Sequence, residues 1–204
     1  MRPAFLPRVG EMPAGREGLR ADDKRYCDAV RRGMLTIIME CRDNEAELVQ
    51  TLSVLVAGAV EGLVRDVIVL DHGSRDGSAA VADAAGCRFL DTWELGEVLG
   101  AARGEWLLLL EPGARPLSGW VEAIADHVAA HPGPACLRAA RKRPFFQRLV
   151  RKLPLEEGYL IARHQASAAV RPGMGLADLA KGARARRLAA EIAPAWATRA
   201  LRAG

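Results

Sequence analysis

The stretch Val67-Ile68-Val69-Leu70-Asp71-His72-Gly73-Ser74-Arg75-Asp76-Gly77-Ser78 decides how the rest of this chain is read. Val67 to Leu70 form an unbroken run of β-branched and bulky apolar residues, the pattern of a strand covered on both faces. Asp71 ends that run, and the carboxyl end of a strand is where open α/β sheets place their ligands. Gly73 and Gly77 permit backbone angles that other residues resist, while Ser74, Asp76 and Ser78 can cap a following helix. The segment therefore predicts strand, turn and helix, with an acid held at a sheet edge.

Upstream, Leu35-Thr36-Ile37-Ile38-Met39 predicts a first buried strand. Asn44-Glu45-Ala46-Glu47 reads as a capping box, with Asn44 as the cap. Leu48, Leu52, Leu55 and Val56 then share one helical face, and Gly58 and Gly62 mark the helix exit. Downstream, Ser78 to Ala85 predicts a helix closed by Gly86, and Arg88-Phe89-Leu90 a short strand. Leu95, Val98 and Leu99 suggest a short helix before a central strand, Trp106 to Leu110. Glu111-Pro112-Gly113-Ala114-Arg115-Pro116 reads as a turn that does not continue a ladder. Trp120, Ile124 and Val128 line a helix ending near His131. Further on, Gly158 to Ala162 predicts a strand, Leu176 to Ala185 a helix and Leu188 to Ile192 a closing strand. Strands alternating with helices imply right-handed crossovers: an α/β fold whose mainly parallel central sheet is flanked by helices.

The 204 residues suit one domain, with or without an appendage. The longest apolar runs are far too short to cross a bilayer. A net charge of +4 does not by itself imply nucleic-acid binding, and none is expected. The four cysteines include no CxxC pair, so no zinc site or redox dithiol is suggested. No secretory segment is visible near the start, and a cytoplasmic setting is the expectation. Residues 1–33 are punctuated by proline and glycine without a periodic apolar face, which predicts a disordered extension. Met34, directly before the first strand, reads as a candidate translation start. Arg138, Arg141, Lys142, Arg143, Arg148, Arg151 and Lys152 are interleaved with Phe145, Phe146, Leu149, Val150 and Leu153. Residues 138–153 read either as solvated surface or as a contact with an anionic membrane at its inner face.

Three strand ends, Cys41-Arg42-Asp43, Asp71-His72 and Glu111, converge on one edge of the sheet. The motifs there resemble those of family 2 glycosyltransferases, which have the GT-A fold. Met39-Glu40-Cys41-Arg42-Asp43-Asn44-Glu45 is similar to their P-x-[YR]-N-E turn, one residue longer. Asp71-His72-Gly73-Ser74-Arg75-Asp76-Gly77-Ser78 resembles D-[DN]-G-S-x-D-G-[ST], and Ala102-Arg103-Gly104-Glu105-Trp106-Leu107 resembles A-x-G-[ED]-[YW]-[IL]. Leu110-Glu111-Pro112-Gly113 stands where that family has L-D-x-D, and Gly175-Leu176-Ala177-Asp178-Leu179 where it has E-D-[LF]. The resemblance implies a nucleotide-diphospho-sugar donor, a nucleotide-binding half at 34–133 and an acceptor half at 134–204. It implies that Asp71 hydrogen-bonds the nucleobase and that Cys41 or Arg42 lines the same pocket, with His72 beside them. It implies that Glu111 lies near the ribose or a metal, and that Asp178 is the general base of an inverting transfer to a saccharide or lipid-linked acceptor.

The departures are specific. Gly113 offers no ligand where the family has its second DxD carboxylate, so Mg²⁺ or Mn²⁺ is expected to bind weakly through Glu111 or not to be required. Arg42, Arg75, Arg103 or Arg115 can meet a diphosphate instead. Ala177 replaces the acid before Asp178, and His72 an Asp or Asn. A protein that keeps the fold and binds the donor without turnover is the alternative. No G-x-G-x-x-G follows a strand, which disfavours a dinucleotide enzyme. His127 and His131 lie four apart with no third ligand in sight, and complement a helix C-terminus as they stand.

Overall fold

A computed structural model describes residues 34–140, 155–181 and 184–197. In chain order they form β1 (Leu35–Cys41), α1 (Glu45–Val60), β2 (Val64–Asp71), α2 (Ser78–Ala84), β3 (Arg88–Leu90), α3 (Leu95–Ala101) and β4 (Trp106–Leu110). Then come β5 (Arg115–Pro116), α4 (Trp120–Ala130), β6 (Ala135–Ala139), β7 (Tyr159–Ala162), α5 (Arg163–Ala169), α6 (Leu176–Ala180) and β8 (Arg186–Ala193). The eight strands make one sheet in the order β3-β2-β1-β4-β7-β6-β8-β5. β3, β2, β1 and β4 are parallel. The second half is mixed: β7 runs antiparallel to β4 and β6, β6 pairs parallel with β8, and β5 antiparallel with β8.

Strand alternation divides the core between the two faces of the sheet. Ile37, Met39, Leu108 and Leu110 belong to one apolar cluster with Leu48, Leu52 and Leu55 of α1 and Trp120 and Ile124 of α4. Ile38, Ile68, Leu70, Leu107 and Leu109 belong to the other, with Leu95 and Leu99 of α3 and Leu176 and Leu179 of α6. Most of these side chains are fully buried, each worth roughly 1.5–3 kcal/mol of transfer free energy. Among the described residues no helix is long and apolar enough to cross a membrane.

Several local expectations are corrected. Gly58 does not mark the helix exit: it lies inside α1, where a Cβ would fall 2.5 Å from Trp120 Cη2. It is a close-approach residue that lets α1 lie on the Trp120 indole. Asn44 precedes α1, but its side chain makes no cap hydrogen bond to the helix. Its Oδ1 instead accepts from Arg42 N at 3.0 Å, turning the loop back on itself. The turn at 111–116 does continue into a ladder, since Arg115 and Pro116 pair with Ala193 and Ile192. Pro116 is tolerated because β5 is an edge strand with no need of every N–H. α6 ends at Ala180 rather than Ala185. β6 and α5 are elements that the residue pattern did not announce.

Candidate functional site

The register sets the edge. Cys41 pairs with Asp71, and Met39 with Leu110, so the loops after β1, β2 and β4 leave the sheet side by side. The first two loops are tied together by reciprocal hydrogen bonds. His72 N donates to Cys41 O at 3.0 Å, Asp43 N to Ser74 Oγ at 2.9 Å and Arg75 N to Asp43 Oδ1 at 2.7 Å. Asn44 N donates to Ser78 Oγ at 3.1 Å, Glu45 N to Asp76 Oδ2 at 2.9 Å and Gly77 N to Glu45 Oε2 at 3.1 Å. The N-terminus of α1 is thus received by Asp76 from the neighbouring loop. Asp43 sits at φ 53°, a left-handed conformation that Asp tolerates and that these bonds hold.

Asp71 is the centre of this lock. Its Oδ2 accepts from Gly73 N at 3.0 Å and Ser74 N at 2.9 Å. Its Oδ1 accepts from the Ser74 hydroxyl and, at 3.3 Å, from Cys41 Sγ. Burial alone would raise its pKa, but the bonds from Ser74, Cys41 and Gly73 outweigh it and hold the carboxyl below its usual range. Cys41 is the converse: burial first, then the hydrogen bond and charge of Asp71, push its thiol up to about 12, so it stays protonated. Arg42 is exposed at the rim.

His72 is exposed and bridges outward. Its Nε2 lies 3.3 Å from Glu40 Oε2, and its ring meets Trp93 edge-on with centroids 5.2 Å apart. Trp93 Nε1 donates to the Asp71 carbonyl at 3.1 Å. Glu40 Oε1 in turn accepts from Leu176 N at 2.6 Å, which fastens the start of α6 to the end of β1. Glu40 and Trp93 were not singled out from the sequence. The available signal was a lone acid inside the apolar run Ile37 to Cys41.

Asp178 is brought to the same edge through α6. Its Oδ2 accepts from Gly175 N at 2.9 Å, and its Oδ1 is ion-paired with Lys181. The Lys181 hydrogen bond, then that from Gly175, lowers its pKa. At the end of β4, the Glu111 carbonyl accepts from Ala114 N at 3.0 Å and Gly113 N donates to Thr51 Oγ1 at 2.8 Å. Gly113 stands at φ 95°, and a Cβ there would lie 3.2 Å from Glu47 Cγ and 3.4 Å from Ala195 Cβ.

The opposite, amino edge holds different features. A cavity of about 410 Å³ is lined by Leu99, Gly100, Glu105, Arg163, His164 and Ser167. A second, of about 380 Å³, reaches His131 and Pro132. Both lie at the far end of the strands from Asp71. Arg103 precedes β4 at this amino edge and is exposed, so it takes no part in the Asp71 site. His127 is buried, stacks on His131 with centroids 5.2 Å apart and pairs through Nε2 with Gly133 O at 2.8 Å. The basic run 138–153 lies largely outside the described residues; Arg138 belongs to β6 and donates to Ala189 O. The expected extension at 1–33 also lies outside them.

No family model matches the chain, and no curated protein matches it in sequence. Solved structures do share its fold. Glucosyl-3-phosphoglycerate synthase from Mycobacterium tuberculosis superposes with a TM-score of 0.57 at 20% identity, over 84% of this chain and 75% of that one. The same synthase in complex with Mn²⁺, UDP and glucosyl-3-phosphoglycerate gives 0.56 at 19% identity, over 85% and 75%. Its complex with Mn²⁺, UDP-glucose and phosphoglyceric acid gives 0.51 at 19% identity, over 75% and 64%. The fold is that of the GT-A nucleotide-sugar glycosyltransferases.

That synthase was solved with Mn²⁺ in one complex and with Mg²⁺ in another. Among the described residues no group of three or more His, Cys, Asp or Glu is placed to hold a metal ion. Gly113 brings no carboxylate, and its backbone angle and packing leave a side chain there strained. The acids nearest the edge are engaged with protein donors. At this turn Glu111 is the carboxylate offered to such a cation, and Mg²⁺ is usually held by one or two carboxylates together with substrate phosphates.

Proposed function

We propose that this chain binds a nucleotide-diphospho-sugar at the edge carrying Asp71 and transfers the sugar to an acceptor hydroxyl. One observation carries the reading: two loops locked together around a buried, ionised Asp71 at the carboxyl edge of a GT-A sheet. An ionised carboxylate offers about four acceptor sites, and protein donors fill four. A nucleobase N–H therefore reaches Asp71 by displacing the Cys41 thiol, the weakest of those donors. His72, Trp93 and Arg42 form the rim, and Glu111 lies beside the ribose. The neighbouring synthase was solved with UDP, UDP-glucose and a small phosphorylated acid, which supports the same class of donor and a small acceptor here.

Asp178 is the carboxylate in place to take the acceptor's proton, giving inversion at the anomeric carbon. Its ion pair with Lys181 weakens it as a base, because the charged form is the one stabilised. That pairing, together with Gly113, favours a second reading in which the donor is bound without turnover.

Transfer assays with UDP- and GDP-sugars, run alongside nucleotide-binding measurements, separate the two. The first reading predicts turnover that falls roughly 10²–10⁴-fold in Asp178→Asn, with nucleotide binding unchanged. Binding without turnover in the unaltered protein selects the second. No nucleotide binding at all defeats both.

A further inference from the structure

The turn after β4 poses a charge problem. A donor diphosphate directed there meets Glu111 and a glycine that cannot carry a ligand, with no described carboxylate cluster to hold a cation. Its negative charge has to be met by side-chain cations or N–H groups. Of the four arginines that the sequence offered, Arg103 lies at the wrong edge, and Arg42 and Arg75 are exposed on the first two loops. Arg115 is half-buried and follows the turn directly.

Its position is fixed from two sides. Arg115 pairs with Ala193 of β8, and the chain then continues to Ala195, whose Cβ would meet a Gly113 side chain at 3.4 Å. Trp196 follows at once. Arg115 and Trp196 therefore stand on two segments that meet at Gly113. Arg115 Nε and Trp196 Nε1 are both buried, and neither has a hydrogen-bond partner. Buried N–H groups in native proteins are almost always paired, and an exception asks for an acceptor. Two such donors, carried on the two segments that meet at Gly113, point to an anionic oxygen ligand. A guanidinium supplies a fixed charge and a planar fork that fits phosphate oxygens.

We infer that Arg115, assisted by the Trp196 indole N–H, receives the diphosphate of the donor in place of a carboxylate-held metal ion. The inference rests on the reading above that this edge binds a nucleotide-diphospho-sugar.

Calorimetry on the full chain with UDP and uridine, and with GDP and guanosine, each in Mg²⁺ and in EDTA, tests it. The nucleoside reports the base subsite, and the added affinity of the diphosphate over the nucleoside reports Arg115 and Trp196. The diphosphate should bind at least tenfold more tightly than its nucleoside, equally in EDTA and in Mg²⁺. Arg115→Gln and Trp196→Phe should each reduce that advantage several-fold while nucleoside affinity stays unchanged. Arg115→Lys should recover part of it, and unchanged nucleoside binding confirms that each variant is folded. A diphosphate advantage that vanishes in EDTA, or that survives intact in Arg115→Gln, overturns this inference and leaves the donor-binding reading standing. Failure of every nucleoside and diphosphate to bind overturns both.

Discussion

The loops after β1 and β2 and the segments around Gly113 and Asp178 share one sheet edge, yet they are built differently. In the first region the acids serve the architecture: Asp43, Asp76 and Glu45 each accept from a backbone amide of the neighbouring loop, and Asp71 from two amides of its own. The result is a rigid, preorganised rim. In the second region Gly113 sits in a left-handed turn and Asp178 is paired with Lys181. The contrast separates two loops locked by side-chain acceptors from a turn shaped by backbone angle and packing.

The largest expected effect comes from removing the centre of the rigid region. Asp71→Ala leaves Ser74, Gly73 and Cys41 donors without their acceptor, a loss of roughly 3 kcal/mol and about 6–12 °C in Tm. Nucleotide binding should disappear with it. Thermal melts will show this, and an unchanged Tm would remove Asp71 from the centre of the lock. The pH dependence carries a sign. Because the folded-state pKa of Asp71 is lowered, its contribution is present above its unfolded pKa of about 3.9 and is lost as pH falls through the folded value. The gap in Tm between wild type and Asp71→Ala should hold from pH 7 to 5 and narrow below about 4.

A smaller effect is expected in the second region. Gly113→Asp restores a carboxylate in name, but at φ 95° and against Glu47 it should destabilise the fold by about 1–3 kcal/mol without creating Mg²⁺-dependent binding. A variant of native stability whose UDP affinity rises with Mg²⁺ would contradict the packing described for that turn.

The parallel half was legible because its strands are buried on both faces. Ile37-Ile38 and Val67 to Leu70 announce themselves as unbroken apolar runs, and β1, β2 and β4 form where expected. β6 was not legible: Ala135-Cys136-Leu137-Arg138-Ala139 has weak strand propensity and is held by pairing with β7 and β8. β5 was hidden by Pro116, whose missing N–H is harmless at an edge. Cys41, Asp71, His72 and Glu111 share one sheet edge, because register follows from the parallel pairing. Glu40 escaped because its partner, Leu176 N, lies 136 positions away, and no local pattern encodes such a bond. Asn44 misled for a related reason: a capping box is a local rule, and the cap of α1 comes from Asp76 on another loop.

In the proposed function the Asp71 edge, and not the amino edge, receives the nucleotide. A crystal structure of this chain soaked with UDP tests it most directly. The expected result is a base against Cys41, Asp71 and His72 with the diphosphate running toward Arg115. Nucleotide found instead in the cavity lined by Glu105, Arg163 and His164, with the Asp71 edge empty, would contradict it.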